Sequence, residues 1–174
     1  MKLLVCALLY FSLILTACTT QVKNLKTDQD TGLTDGKGYL FMAVDTNTDL
    51  EKIDIEGTKY AQITKTDLLA GSNFILFELP AGNYQFYKIS KKYAYFNLKN
   101  KNDYWSFTIT DGVISYIGTL VAKSNFLFAD FEMLNQSSIA LEYLESNFPN
   151  LLKERKIIYA GPGEDNFLNF VSNK

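Results

Sequence analysis

WSFTITDGVISYIGTL, residues 105–120, holds two alternating runs around a single Asp-Gly pair. Trp105, Phe107 and Ile109 alternate with Ser106, Thr108 and Thr110, the period of a half-buried strand. Asp111-Gly112 supplies two residues that tolerate positive φ, the sequence signature of a type I′ hairpin. In that register Ile109 faces Ile114, Phe107 faces Tyr116 and Trp105 faces Gly118. Apolar partners then share one face, and the indole covers backbone that has no side chain of its own.

Outward from this stretch the chain reads as a series of short strands. Residues 39–44 are continuously apolar, as expected of a strand covered on both faces. Further strand candidates fall at 53–56, 60–64, 73–79, 84–90, 93–98 and 126–133, separated by clusters of Gly, Asn and Asp. Pro80-Ala81-Gly82-Asn83 combines a φ-fixing Pro with a φ-permissive Gly, which predicts a second hairpin. Near the end the period changes: Ser138 can cap a helix in which Leu141, Leu144 and Phe148 recur until Pro149 interrupts it. The expectation is a mainly-β domain over residues 38–174, an antiparallel β-sandwich with a C-terminal amphipathic helix.

FELPAGNYQFYKI, residues 77–89, resembles the strand-Pro-x-Gly-x-Tyr-strand hairpin of transthyretin-like and carboxypeptidase-regulatory-like sandwiches and of uncharacterised proteobacterial lipoproteins. ISYIGTL, residues 114–120, is similar to a Tyr-Ile-Gly strand of such lipoproteins. The resemblance implies a sandwich fold and carries no catalytic residue with it.

At the other end, Lys2 precedes an apolar run over residues 3–15. Its length of about 13 residues suits a signal-peptide core and falls short of the roughly 20 needed to span a bilayer. Leu15-Thr16-Ala17-Cys18 follows at once and resembles the bacterial lipobox. The resemblance implies that Leu15, Thr16 and Ala17 are read by a signal peptidase, that residues 1–17 are removed, and that Cys18 carries diacylglycerol and further acyl chains such as palmitate. Two or more chains anchor a protein stably where one does so only marginally. Thr19 lacks the Asp that retains enteric-type lipoproteins in the inner membrane, so the expected location is the cell envelope, at the outer membrane if the host is Gram-negative. Residues 18–37 hold few large apolar side chains and read as a lipidated N-terminus and flexible tether.

Composition narrows the chemistry. The chain has no His and two Cys, Cys6 and Cys18. Removal of the first and acylation of the second leave no thiol for a disulfide, and no Ser-His-Asp, Cys-His or imidazole- or thiolate-zinc site can be built. A net charge of −2 offers no basic face for nucleic acid. The covalent lipid on Cys18 is the one prosthetic group expected.

Four patterns could still bear chemistry. Asp45-Thr46-Asn47-Thr48-Asp49 with Glu56 at the twelfth place opens like a calcium loop, but Leu50 stands where the sharp turn needs Gly, and the better reading is a polar loop between strands. GLTDGK, residues 32–37, is one residue too short for a phosphate loop. Asp130 and Glu132 share one strand face, where a hydrolytic pair is possible and solvated outward positions are the commoner arrangement. Tyr93, Tyr95, Tyr104 and Trp105 could form a sugar platform, or pack as sheet aromatics. The reading favoured by the sequence is a non-catalytic envelope lipoprotein that binds or scaffolds an unidentified envelope protein. A carbohydrate- or peptidoglycan-binding module is the alternative, and a carboxylate-based hydrolase ranks below both.

Overall fold

A computed structural model describes residues 20–28, 32–98, 103–125 and 128–171. Residues 1–19, and with them Leu15, Thr16, Ala17 and Cys18, lie outside the described residues, so the expected signal peptide and lipobox fall there. Eleven strands build two sheets among them. In chain order they are β1 (Thr20–Gln21), β2 (Lys37–Thr46), β3 (Lys52–Gly57), β4 (Ala61–Thr64), β5 (Gly71–Pro80), β6 (Gly82–Lys91), β7 (Ala94–Asn97), β8 (Ser106–Ile109), β9 (Ile114–Ser124), β10 (Ala129–Leu134) and β11 (Ile157–Tyr159). Three helices follow the sheets: α1 (Ser137–Asn147), α2 (Pro149–Glu154), which precedes β11, and α3 (Asn166–Val171). The first sheet runs β1-β4-β3-β6-β7, with β8 also on β6; the second runs β10-β9-β2-β5, with β11 also on β9. The mainly-β sandwich is thus observed, with most neighbours antiparallel and the pairs β1–β4, β2–β9 and β9–β11 parallel.

The uninterrupted apolar run in β2 has the expected cause. Leu40, Met42 and Val44 enter the core between the sheets, and Tyr39 and Phe41 enter a second core on the other side. That second core is closed by Ala140, Leu144, Phe148, Leu151 and Leu168 from the helices. Period-2 alternation fails in β2 because both of its faces are covered. Among the described residues the molecule therefore has three layers, with helices over the outer face of the second sheet and no layer over the outer face of the first.

Both expected hairpins prove to be corners between sheets. β5 pairs with β2 in the second sheet, while β6 pairs with β3, β7 and β8 in the first. Likewise β8 pairs with β6 and β9 with β2, so Ile109–Ile114, Phe107–Tyr116 and Trp105–Gly118 are not cross-strand partners. The turn residues do reverse or bend the chain, but the partner is chosen by burial: each strand's apolar face meets the common core from the opposite sheet. The two corners dock on successive carbonyls at the start of β2. Ala81 N–H donates to Gly36 O at 2.8 Å and Gly112 N–H to Lys37 O at 2.8 Å. Gly38 sits so close to the second corner that a Cβ would fall 2.1 Å from Thr110 O. The stretch that superficially suggested a phosphate loop is this crossing point.

The Pro-x-Gly-x-Tyr pattern also gains a mechanism. Tyr84 Oη donates to Pro80 O at 2.9 Å, locking the corner from within, while its ring stacks 5.9 Å from Phe107. Gly118, at φ 106°, lies at a register shift between β2 and β9, and a Cβ there would press on Leu134 O at 3.0 Å. Its role is a bulge in β9 against β2, with the end of β10 close by, not a seat for Trp105.

Two boundaries differ from expectation. Helix α1 begins at Ser137, and Asn135 Oδ1 accepts the Ser137 N–H, so Ser138 is not the cap. Pro149 ends α1 and at the same time occupies the first turn of α2, where its missing N–H costs nothing. The larger difference is at the N-terminus. The segment expected to be a flexible tether is bound to the domain over residues 20–28. β1 pairs with β4, Val22 N–H donates to Gln62 O, and Leu25 N–H donates to Leu76 O. Asn24 Nδ2 donates to Asp67 Oδ1 and Phe74 O, and Asn24 Oδ1 accepts Leu76 N–H at 2.9 Å. The segment crosses from the edge of one sheet to the edge of the other, and one buried Asn satisfies the exposed backbone there.

Candidate functional site

The open outer face of the first sheet carries the densest polar chemistry. Its centre is Asp54 in β3, fully buried despite facing outward. Register explains why: Gln62 of β4 stands opposite Asp54 on one side and Lys88 of β6 on the other. Tyr60 Oη donates to Asp54 Oδ1 at 2.6 Å and Gln62 Nε2 donates to the same oxygen at 2.7 Å. Oδ2 makes no hydrogen bond among the described residues and is matched by Lys88 Nζ at 3.4 Å and Lys52 Nζ at 3.6 Å.

Burial pushes the Asp54 carboxyl upward, but the two hydrogen bonds and the two ammonium groups together outweigh it and hold the group below its ordinary range. The phenol of Tyr60 is pushed up to about 12, by burial first and by its bond to Asp54 second. At neutral pH the cluster is a fixed ionic lock: a carboxylate, a neutral phenol and two cations.

A bulge in β6 extends this face. Asp54 pairs with Lys88 and Ile55 with Phe86, so Tyr87 falls at the register shift between β3 and β6, and its carbonyl accepts Leu98 N–H at 2.9 Å. Lys88 Nζ then lies 5.6 Å from the centre of the Tyr87 ring and 5.9 Å from that of Tyr95 in β7. Tyr95 is 66% exposed, an aromatic ring held beside a cation on an otherwise polar sheet. Beyond it, at the β6–β7 turn, Tyr93 is 88% exposed with Lys92 Nζ 5.1 Å from its ring.

The four aromatics singled out by sequence therefore separate. Tyr93, Tyr95 and Tyr104 are exposed, but the Tyr104 hydroxyl is tied down, donating to Met133 O at 3.0 Å and accepting from Met133 N–H at 2.8 Å. Trp105 is 7% exposed and packs edge-on to Phe86 and Tyr104, at the end of a single 3₁₀ turn. Its burial matches the packing reading, although its ring neighbours are Phe86 of β6 and Tyr104 of its own turn, and not Gly118 of β9.

The carboxylate candidates fall elsewhere. Asp130 and Glu132 are exposed on β10, opposite Lys123 and Val121 of β9. In the Asp45–Asp49 stretch, Thr46 Oγ1 donates to Thr48 O, and Asn47 holds Ser124 through both its amide nitrogen and its oxygen. Leu50 is buried, and Glu56 in β3 accepts a hydrogen bond from Gln85. These groups tie loops and strands together, and among the described residues no three acidic side chains gather to hold a metal. Asp54 itself escaped the sequence reading. In Ile53-Asp54-Ile55 it looked like any outward strand residue, and only Gln62 at the matching place in the next strand hinted at a partner.

What fold and site define is a class: a β-sandwich layered with helices on one side and presenting an aromatic, charge-locked sheet on the other. No family model, curated protein or solved structure matches the chain.

Proposed function

We propose that this chain is a non-catalytic, lipid-anchored binding domain of the bacterial cell envelope, attached through Cys18 and engaging an envelope partner with the open face of its first sheet. The anchor rests on the lipobox-like Leu15-Thr16-Ala17-Cys18 behind its apolar run. The observation that carries the binding reading is Tyr95, a large exposed ring beside Lys88, whose ammonium is matched by the buried Asp54. A rigid aromatic on a preorganised surface loses little entropy on binding, which is why such residues dominate interaction hot spots.

The ion cluster serves rigidity in this reading and has no reactive role. Asp54 is ionised, buried and committed to four partners, so it offers neither a free base nor a protonated acid. A second reading, a glycan as partner, is favoured by the same exposed tyrosines, since sugar rings stack on such faces. Capture from cross-linked envelope with the full chain separates the two. A discrete protein recovered with the native chain and lost with Tyr95→Ala supports the first reading. Peptidoglycan fragments alone move the assignment to the second, and equal recovery with Tyr95→Ala removes the sheet face from both.

A further inference from the structure

Where the β6–β7 turn of the first sheet meets the end of β9 and the start of β10 in the second, a cavity of about 460 Å³ lies between them, inside the range of small-ligand sites. Tyr93 and Phe96 line it from one sheet and Phe128 from the other. Phe96 is half-buried, its ring centre 5.1 Å from that of Phe131, but Tyr93 is 88% and Phe128 74% exposed. Phe128 is nevertheless fixed: its N–H donates to Asn125 Oδ1 at 2.8 Å and its carbonyl accepts Asn125 N–H at 2.9 Å. A ring held in this way loses little freedom when a ligand covers it.

The cations of the cavity are Lys91 and Lys92. Lys91 Nζ donates to Ser124 Oγ at 2.7 Å. Ser124 is 6% exposed, its hydroxyl lies 3.3 Å from Thr48 Oγ1, and Asn47 bonds both its carbonyl and its N–H. The stretch at residues 45–49 that opens like a calcium loop thus positions a cation of the chain itself. An ammonium has three donors, so two remain on Lys91. Among the described residues no carboxylate lies at ion-pair distance from Lys91 or Lys92, and none lines the cavity.

We infer that this cavity binds a carboxylated sugar, with the C–H face of the sugar ring against Phe128 and the carboxylate at Lys91 and Lys92. A pyranose presents an apolar face and, at its edge, hydroxyls and an acid group, so a fixed ring beside an unpaired ammonium matches both at once. An acyl chain fits less well, because Phe128 and Tyr93 stand largely in water and would leave its methylenes exposed. An acidic side chain of a peptide supplies the charge but no flat apolar face for Phe128. The cavity is separate from the sheet face proposed for the envelope partner: Tyr95 lies beside Lys88 on one side of β7, and Phe96 packs on Phe131 on the other. The inference goes beyond that reading and does not depend on it.

Saturation-transfer NMR on the full chain in phosphatidylcholine nanodiscs, with irradiation of the aromatic protons, tests it. The probes are an N-acetylglucosamine–N-acetylmuramic acid disaccharide, a glucuronate–N-acetylglucosamine disaccharide and neutral chitobiose. The expected result is saturation of the ring protons of an acidic disaccharide, above that in empty discs, with little on chitobiose; whichever acid responds more strongly identifies peptidoglycan or an acidic surface glycan as the source. Phe128→Ala, at an exposed position, should lower the signal several-fold with the melting temperature kept. Lys91→Gln keeps a donor for Ser124 and removes the charge, and should bring the acids down to the level of chitobiose. Lys153→Gln, the same loss of charge on the exposed side of α2, should change nothing. No signal from either acid, equal saturation of chitobiose, acid signal unchanged in Phe128→Ala, or an equal loss in Lys153→Gln would overturn the assignment. Displacement of the acids by tetraglutamate at lower concentration would give the cavity to acidic peptides and overturn it as well.

Discussion

Asp54 shows how a single outward-facing residue can become part of the interior. Its carboxylate is held below the ordinary carboxylate range in the fold, while in the unfolded chain it titrates near 3.9. A depressed folded pKa means that its stabilising contribution is complete well above that value and fades as the pH falls through the folded value. Asp54→Asn keeps an acceptor for Tyr60 and Gln62 and removes the charge between Lys52 and Lys88. The expected loss is about 1–3 kcal/mol at pH 7, narrowing toward zero below about pH 4; urea melts of both chains across that range check it, and a constant difference would refute the ionic account. Trp105, the chain's one tryptophan, gives a second residue-scale test. With its indole buried between Phe86 and Tyr104, emission should be blue-shifted and poorly quenched by iodide, and Trp105→Ala should cost roughly 3–5 kcal/mol. Red-shifted emission with a fully stable mutant would place the ring at the surface.

At the scale of elements, the existence of strands was legible and their pairing was not. Apolar runs and alternation located residues 39–44, 73–79 and 84–90 because burial leaves a periodic trace in sequence. Pro80-Ala81-Gly82 and Asp111-Gly112 marked the places where the chain turns, yet a turn signal says nothing about whether the next strand returns to the same sheet. That choice depends on β2, whose two covered faces demand a layer on each side and draw β5 and β9 to its edges. The N-terminal crossing was illegible for a different reason. A strand of two residues and one buried Asn have no period, and Asn24 reads as tether until its three bonds are seen. Asn24→Ala should therefore behave unlike a tether substitution. It leaves the Leu76 N–H and the Phe74 carbonyl without their partner, so about 1–3 kcal/mol should be lost and protease cleavage within residues 20–28 should rise. Unchanged stability and cleavage would return this segment to the role of linker.

For the whole molecule the docked N-terminus fixes a direction. β1 runs parallel to β4 from Ala61, so the chain enters at the end of the sandwich that carries Gly57, Gly82 and the Asp111-Gly112 corner. The opposite end carries the β6–β7 turn with Lys92 and Tyr93 and the close of β9 at Ser124. β6, ten residues long, joins the two ends, a span of about 30 Å at the rise of an extended strand. Only Thr19 separates Cys18 from Thr20, which at about 3.5 Å per residue allows no more than roughly 7 Å of slack. An acylated Cys18 would thus hold the corner end against the bilayer and turn Tyr93 away from it, the reverse of a domain that tumbles freely on a 20-residue leash. Because removal of residues 1–17 would take Cys6 and acylation would consume Cys18, a single introduced cysteine would report depth at each end. Asp111→Cys and Tyr93→Cys, labelled with an environment-sensitive dye and placed in vesicles containing brominated lipid, should differ sharply, with strong quenching at position 111 and almost none at position 93. Equal quenching would show that the segment detaches from β4 on the membrane, and quenching in a chain that also carries Cys18→Ser would show that something other than the acyl chains holds the domain there.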